Sequence, residues 1–115
     1  MKNAIRWCLL FVACAAFAAE EYPAKPIQMI VPFPAGGPAD IVGRLYAQHL
    51  SAVVGQPVVT LNRDGASGTI GTAAAARAAP DGYTLVFGTT STMVVNPLVM
   101  REVPYDFWRT SRSSA

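Results

Sequence analysis

The chain has 115 residues, 9 Lys and Arg against 7 Asp and Glu, and a formal net charge of +2, a length that holds one small domain at most. Lys2 and Arg6 carry that excess. The remaining residues are balanced at seven basic and seven acidic, which leaves no electrostatic footprint for nucleic acid or for an anionic membrane surface.

The first element is not part of a domain. Trp7 to Phe17 is an unbroken apolar run of 11 residues, well short of the ~20 that a membrane-spanning helix needs. It follows two basic residues and ends in Ala16-Phe17-Ala18, with small residues where a signal peptidase reads. Residues 1–18 are expected to be a secretory leader cleaved near Ala18, with a periplasmic product and no stable membrane insertion after cleavage. A lipoprotein reading, with Cys14 acylated after Phe11-Val12-Ala13, stays open, although Phe11 stands where Leu is usual. Cys8 and Cys14 are the two cysteines, so the exported part has no thiol for a disulfide, a nucleophile or a metal site. That composition suits an oxidising compartment.

Ile27 to Val31 is a short apolar run bounded by prolines and reads as a strand. A Pro- and Gly-rich turn, Pro32 to Asp40, leads into a helix in which Val42, Leu45, Tyr46, His49, Leu50 and Val53 recur at helical spacing. Asp40 is placed to cap its start and Gly55 to end it. Val58 to Leu61, after Gly55-Gln56-Pro57, is a second strand. Thr69 to Ala79 is an Ala-rich helix that stops at Pro80, and Thr84 to Phe87, after Pro80-Asp81-Gly82, is a third strand. The order β-α-β-α-β implies parallel strands, right-handed crossovers and an α/β layer fold with an open sheet.

In such a sheet the loops that leave the carboxyl ends of the strands share one edge, and ligands bind there. The three loops are Pro32 to Asp40, Asn62 to Gly68 and Gly88 to Asn96. They offer backbone N–H groups, short hydroxyls and two helix N-termini to a small polar ligand carrying a carboxylate or similar anion.

Each feature also has a structural reading. Gly65, Gly68 and Gly71 form G-x-x-G-x-x-G rather than the dinucleotide fingerprint, and no Walker lysine is present, so turn and packing glycines are expected and no cofactor. His49, the sole histidine, is expected to be a partly buried structural residue, because no serine, cysteine or carboxylate marks it as a base. No catalytic residue and no metal ligand set is assigned. Asp40 and Arg44 are spaced for an i,i+4 ion pair, and Asp40 can cap the helix or hydrogen-bond an amino or hydroxyl group of a ligand. Arg63 can pair with a ligand carboxylate or with a surface acid such as Asp64. Thr89 to Thr92 can cap a short third helix ahead of Asn96-Pro97 or bind ligand, since both use the same hydroxyls.

VPFPAGGPAD, GQPVVTLNRDGASGTIG, APDGYTL, NPLV and VPYD, in this order, resemble the substrate-binding proteins of tripartite tricarboxylate transporters, the Bug family, over about Tyr22 to Asp106. The resemblance implies a periplasmic receptor of two α/β domains, of periplasmic-binding-protein type II-like fold, that closes on a small organic carboxylate and delivers it to a membrane permease. It implies that Phe33, Pro34, Ala35, Gly36 and Gly37, together with Ala66, Ser67 and Gly68 and with Thr89, Thr90 and Ser91, hold the ligand carboxylate, partly through backbone amides and ordered water. Asp40 closes the first motif. Di- and tricarboxylates and acidic amino acids are the implied ligand class.

Two motifs depart from the family pattern. Pro38 and Ala39 stand where the family has Gly and Thr, which removes one backbone donor and one hydroxyl, and Leu61 and Asp64 replace Glu and Pro around Asn62-Arg63. Family members run to roughly two or three times this length, so residues 19–106 correspond to the N-terminal part of the first of two domains. Residues 107–115, FWRTSRSSA, are a polar tail that leaves the pattern. A frameshift near Arg109 accounts for it, because Asp-Phe codons read one nucleotide late can give Thr110-Ser111; downstream DNA that encodes no α/β domain in the shifted frame would sink this idea. A truncated receptor leads, with a remnant without selected activity and an α/β hydrolase or dehydrogenase fragment as the other two readings. An α/β enzyme needs a nucleophile with a base, or a cofactor loop, and the chain offers neither.

Overall fold

Three runs rich in β-branched and aliphatic residues form the strands, β1 (Ile27–Val31), β2 (Val58–Asn62) and β3 (Thr84–Val86). They are seen in a computed structural model that describes residues 20–106 together with 108 and 109; the expected leader, with Cys8 and Cys14, and most of the tail lie outside the described residues. The strands pair in parallel in the order β2-β1-β3. Each strand-to-strand connection therefore runs through helix, and the second carries the chain from one side of β1 to the other. The fold is α/β, β-α-β-α-β, with an open three-stranded sheet.

The central strand carries most of the core: Ile27, Met29, Ile30 and Val31 are all buried. Its register runs from Ile27 opposite Val58 to Val31 opposite Asn62 on one side, and from Gln28 opposite Thr84 to Ile30 opposite Val86 on the other. Bonds from Arg63 N–H to the Val31 carbonyl and from Phe87 N–H to the Ile30 carbonyl continue the ladder to the mouth of the first loop.

Helix α1 (Pro38–Val54) starts three residues earlier than the Asp40 cap implies. Gly37 is the N-cap and Pro38 the first helical residue, a position where the missing N–H of proline costs nothing. The helix ends as expected on Gly55, whose left-handed backbone lets its N–H bond the Ser51 carbonyl. Its packing face differs from the expected one. Asp40, Gly43 and Ala47 are the buried residues of α1, whereas Val42, Leu45, Tyr46 and Val53 are exposed and Leu50 is half-buried. Small residues let the helix lie close to the sheet: a methyl on Gly43 would sit 3.1 Å from Val31 Cγ2. His49 is exposed as well, with Nδ1 2.9 Å from the Leu45 carbonyl, not partly buried as expected.

After β2, one turn of 3-10 helix (Ala66–Gly68) runs into α2 (Thr69–Ala76), which stops short of the expected Ala79. Gly71 of α2 is a close-approach glycine, since a methyl there would meet the Arg63 carbonyl and lie 2.8 Å from Pro32 Cα. Beyond β3, the short helix expected ahead of Asn96-Pro97 is a π-helical turn (Ser91–Val95), and it continues into α3 (Asn96–Val99) instead of ending there. Pro97 has no N–H to return to the chain, and the Asn96 N–H instead reaches the Ser91 carbonyl five residues back. Among the described residues no helix is long and apolar enough to cross a membrane.

Candidate functional site

The three loops that follow the strands meet at Gly68. A methyl placed there would lie 2.6 Å from Thr92 Cγ2, 3.3 Å from Phe33 Cζ and 3.3 Å from the Pro32 carbonyl oxygen. One loop supplies Pro32 and Phe33, the second Gly68 and the third Thr92, so the structure gathers the three segments that the sequence marks.

In the first loop the amide donors can be counted. Gly36 N–H donates to Asp40 Oδ2 at 2.8 Å, Gly37 N–H to the Pro34 carbonyl at 3.3 Å, and Ile41 N–H to the Gly37 carbonyl at 3.0 Å. Pro34 and Pro38 have none to give. The Ala39 and Asp40 amides fall in the first turn of α1, where a helix supplies no acceptor, and they sit at the positive end of a 17-residue helix dipole. Ala39 lacks a hydroxyl but keeps its amide as a donor.

The Asp40 carboxylate is committed inside the protein. Oδ2 accepts from Gly36 N–H and from Arg44 Nε at 2.9 Å, and Oδ1 accepts from Asn62 Nδ2 at 2.8 Å. Asn62 Nδ2 also donates to the Phe33 carbonyl at 3.1 Å, and Arg44 Nη2 donates to Asn62 Oδ1 at 3.0 Å. The ring of Asp40, Arg44 and Asn62 therefore grips the first loop at Phe33 and Gly36. The Arg44 guanidinium, then the Gly36 amide and the Asn62 carboxamide, hold the Asp40 carboxyl down at about 2 from its ordinary 3.8, against the opposing pull of burial. Of the roles open to Asp40, the ion pair is present, and the cap takes the form of a third-residue carboxylate reaching back to the amide ahead of the N-cap. Its side chain is buried at 3% exposure, so any contact with a ligand falls to its N–H.

The second loop holds an uncommon backbone. Ala66 (φ 47°) and Ser67 (φ 55°) are left-handed non-glycine residues between Gly65 and Gly68, both of which also have positive φ. Such a conformation costs roughly 1–2 kcal/mol per residue, so the fold has to hold it. Gly68 N–H bonds the Gly65 carbonyl, Thr69 Oγ1 bonds the Ala66 carbonyl, and Asn96 Nδ2 donates to the Ser67 carbonyl at 2.8 Å. Ala66 and Ser67 are exposed and Gly68 is buried. Gly65 and Gly68 serve backbone conformation and Gly71 serves close packing, so all three glycines of the G-x-x-G-x-x-G run have structural work. Arg63 is exposed beside this loop, and the one ion pair among the described residues is Arg44–Asp40.

In the third loop the hydroxyls separate. Thr89 and Thr92 engage each other: Thr89 N–H donates to Thr92 Oγ1 at 3.1 Å and Thr92 N–H to Thr89 Oγ1 at 3.4 Å, a reciprocal cap on the helical segment. Thr92 is fully buried, and Tyr105 closes over it with a 2.6 Å bond from its hydroxyl to the Thr92 carbonyl. Thr90 and Ser91 are exposed. Two residues that sequence reasoning did not single out, Asn62 and Asn96, therefore anchor two of the three loops. A carboxamide at a strand end and another at a helix start before proline were the available signals.

The wall thus presents first-turn amides of α1, a left-handed turn and short hydroxyls. Among the described residues Asp40 is committed to internal partners, and His49 lies further along α1. First-turn amides at a helix N-terminus are groups suited to an anion.

Residues 42–113 match the family described as "Tripartite tricarboxylate transporter family receptor" (TctC). The chain is 48% identical over 101 residues to Protein BugT of Bordetella pertussis, covering 84% of this chain and 31% of BugT. Among solved structures it is similar to an R. palustris protein with adipate, at 40% identity and a TM-score of 0.70 over 75% of this chain and 29% of that one. It is likewise similar to MatC of Rhodopseudomonas palustris with bound malate, at 36% identity and a TM-score of 0.70 over 73% of this chain and 29% of MatC. The chain spans less than a third of the length of these relatives. By sequence and by fold, this chain belongs to the TctC (Bug) family of tripartite tricarboxylate transporter receptors.

Proposed function

We propose that this chain forms one wall of a periplasmic solute-binding site for small carboxylates, di- or tricarboxylates or acidic amino acids, that serves a tripartite tricarboxylate-type membrane permease. The observation that carries the reading is the meeting of three loops at Gly68, the first of which leads into the first turn of α1, in a chain similar to proteins with adipate and with bound malate. Phe33 to Gly37 shape the approach, the amides of Ala39 and Asp40 face the carboxylate, and the Ala66–Gly68 turn with Thr90 and Ser91 supplies further donors. Thr89 contributes by holding the third loop. The apolar leader of residues 1–18 supports export.

A receptor of this kind gains affinity by enclosing its ligand and excluding water, and one wall does neither. Titration of the chain with malate, followed by amide resonances, is therefore expected to move the signals of Ala39, Asp40, Ser67, Thr90 and Ser91 with a Kd of about a millimolar or weaker. Shifts confined to other residues, or none, would overturn the assignment of the site. Micromolar binding would overturn the one-wall description.

A further inference from the structure

Asn96 opens α3 and is 4% exposed. Its backbone is fixed on both sides, because its N–H bonds the Ser91 carbonyl and its carbonyl accepts from Met100 N–H at 3.0 Å. From this anchored position Nδ2 crosses to the Ser67 carbonyl at 2.8 Å, 29 residues away in sequence. The peptide it grips joins Ser67 and Gly68, the middle of a run in which Ala66, Ser67 and Gly68 all have positive φ. A peptide unit is planar, so one bond to its carbonyl also fixes the direction of its amide. Within the turn, the Gly68 N–H of this same peptide bonds the Gly65 carbonyl and Thr69 Oγ1 bonds the carbonyl of the preceding peptide, while the Ser67 carbonyl takes its bond from outside the turn, from Asn96.

We propose that Asn96 is a positioning residue: its carboxamide holds the left-handed Ala66–Ser67 turn in the shape that a ligand meets, and it ties the second loop to the third. The left-handed turn is disfavoured for Ala and Ser on their own, and Asn96 is the side chain that reaches it from another element. The bond also couples the loops, since the third loop is anchored through the same helical segment by Thr92 and Tyr105. The proposal rests on the carboxylate reading of this wall.

Asn96→Ala removes the carboxamide, and Asn96→Asp keeps its shape while removing the donor at neutral pH. Once protonated, the Asp side chain regains an O–H donor. In amide hydrogen exchange on the full chain, both variants at neutral pH are expected to speed exchange at Gly68 and Thr69 by about tenfold or more, while the Arg63 and Phe87 amides beside β1 stay within about twofold. Lowering the pH from about 7 to about 4 is expected to return the Ser67 and Gly68 resonances of Asn96→Asp toward those of the unsubstituted chain at the same pH. Turn amides that stay at their original exchange rates would overturn the proposal. So would a uniform acceleration of all amides, or the lack of any return on acidification, since either makes Asn96 a packing residue. If Asn96→Ala fails to fold, the acid-dependent return of Asn96→Asp decides the matter. With malate at neutral pH, Asn96→Ala is expected to weaken the site-local shifts about tenfold, and undiminished shifts would count against the proposal. If the unsubstituted chain shows no malate shifts, the carboxylate reading fails while the exchange measurements still decide the role of Asn96.

Discussion

Gly36 and Gly68 have nearly the same backbone, with φ of +82° and +85°, in different surroundings. A methyl on Gly36 would meet nothing within 4 Å, whereas one on Gly68 would lie 2.6 Å from Thr92 Cγ2. Gly36→Ala should therefore cost only the left-handed strain, about 1 kcal/mol. Gly68→Ala carries the same strain plus overpacking of about 1–3 kcal/mol, because Thr92 is β-branched, fully buried and held by its bonds to Thr89. For a domain this small, with a urea dependence near 1 kcal/mol per molar, the midpoint should fall by about 1 M for Gly36→Ala and about 2–4 M for Gly68→Ala. Urea unfolding followed by far-ultraviolet circular dichroism measures both. Thr92→Ser supplies the control, since it deletes Cγ2 and keeps the hydroxyl that bonds Thr89. Combined with Gly68→Ala it should restore at least about 1 kcal/mol beyond additivity. A Gly68→Ala loss no larger than that of Gly36→Ala, or a cycle with no coupling, would refute the packing of three loops on Gly68.

Three further outcomes are expected. The Asp40 carboxyl titrates near 2 in the folded chain and at its ordinary 3.8 when unfolded, so the folded state binds fewer protons between those values. Its contribution to stability is complete above that window and is lost as pH falls through it; the urea midpoint should drop there, and the drop should shrink in Asp40→Asn, which is also less stable at neutral pH because its amide nitrogen faces other donors. His49→Ala should change stability by less than about 0.5 kcal/mol, and a loss above about 1 kcal/mol in urea unfolding would contradict its exposed placement. Leu45 and Val53, 54% and 82% exposed on α1, should promote self-association; replacing both with Lys should reduce it in sedimentation velocity without lowering the urea midpoint, and unchanged association would show that this face is not sticky.

The strands were readable because β-branched runs between prolines and glycines leave few other choices. Ile27–Val31 matches its expected bounds, and the other two strands differ by a single residue at one end. The face of α1 was misread for a physical reason: periodic apolar residues mark a stripe without saying what covers it, and the sheet instead takes the Gly43 and Ala47 side, where two small residues allow close approach. The three loops were legible as a group, since parallel strands bring their carboxyl ends to one edge. What anchors them was not. Asn62 reaches Phe33 and Asn96 reaches Ser67 across 29 residues each, distances that exist only once the strand order is known. The left-handed Ala66 and Ser67 were likewise hidden, because neither residue signals positive φ. The hydroxyls of the third loop could not be divided by sequence, and geometry assigns Thr89 and Thr92 to each other.

The strand that carries the first loop lies in the middle of the sheet, paired on both sides, and the free edges belong to β2 and β3. Growth of such a sheet happens at its margins, like shelves added to either end of a bookcase, and breaks none of the bonds that frame the mouth. An outer strand can therefore be lengthened or rerouted, or a further strand appended at either margin, without redesigning the loop that β1 carries.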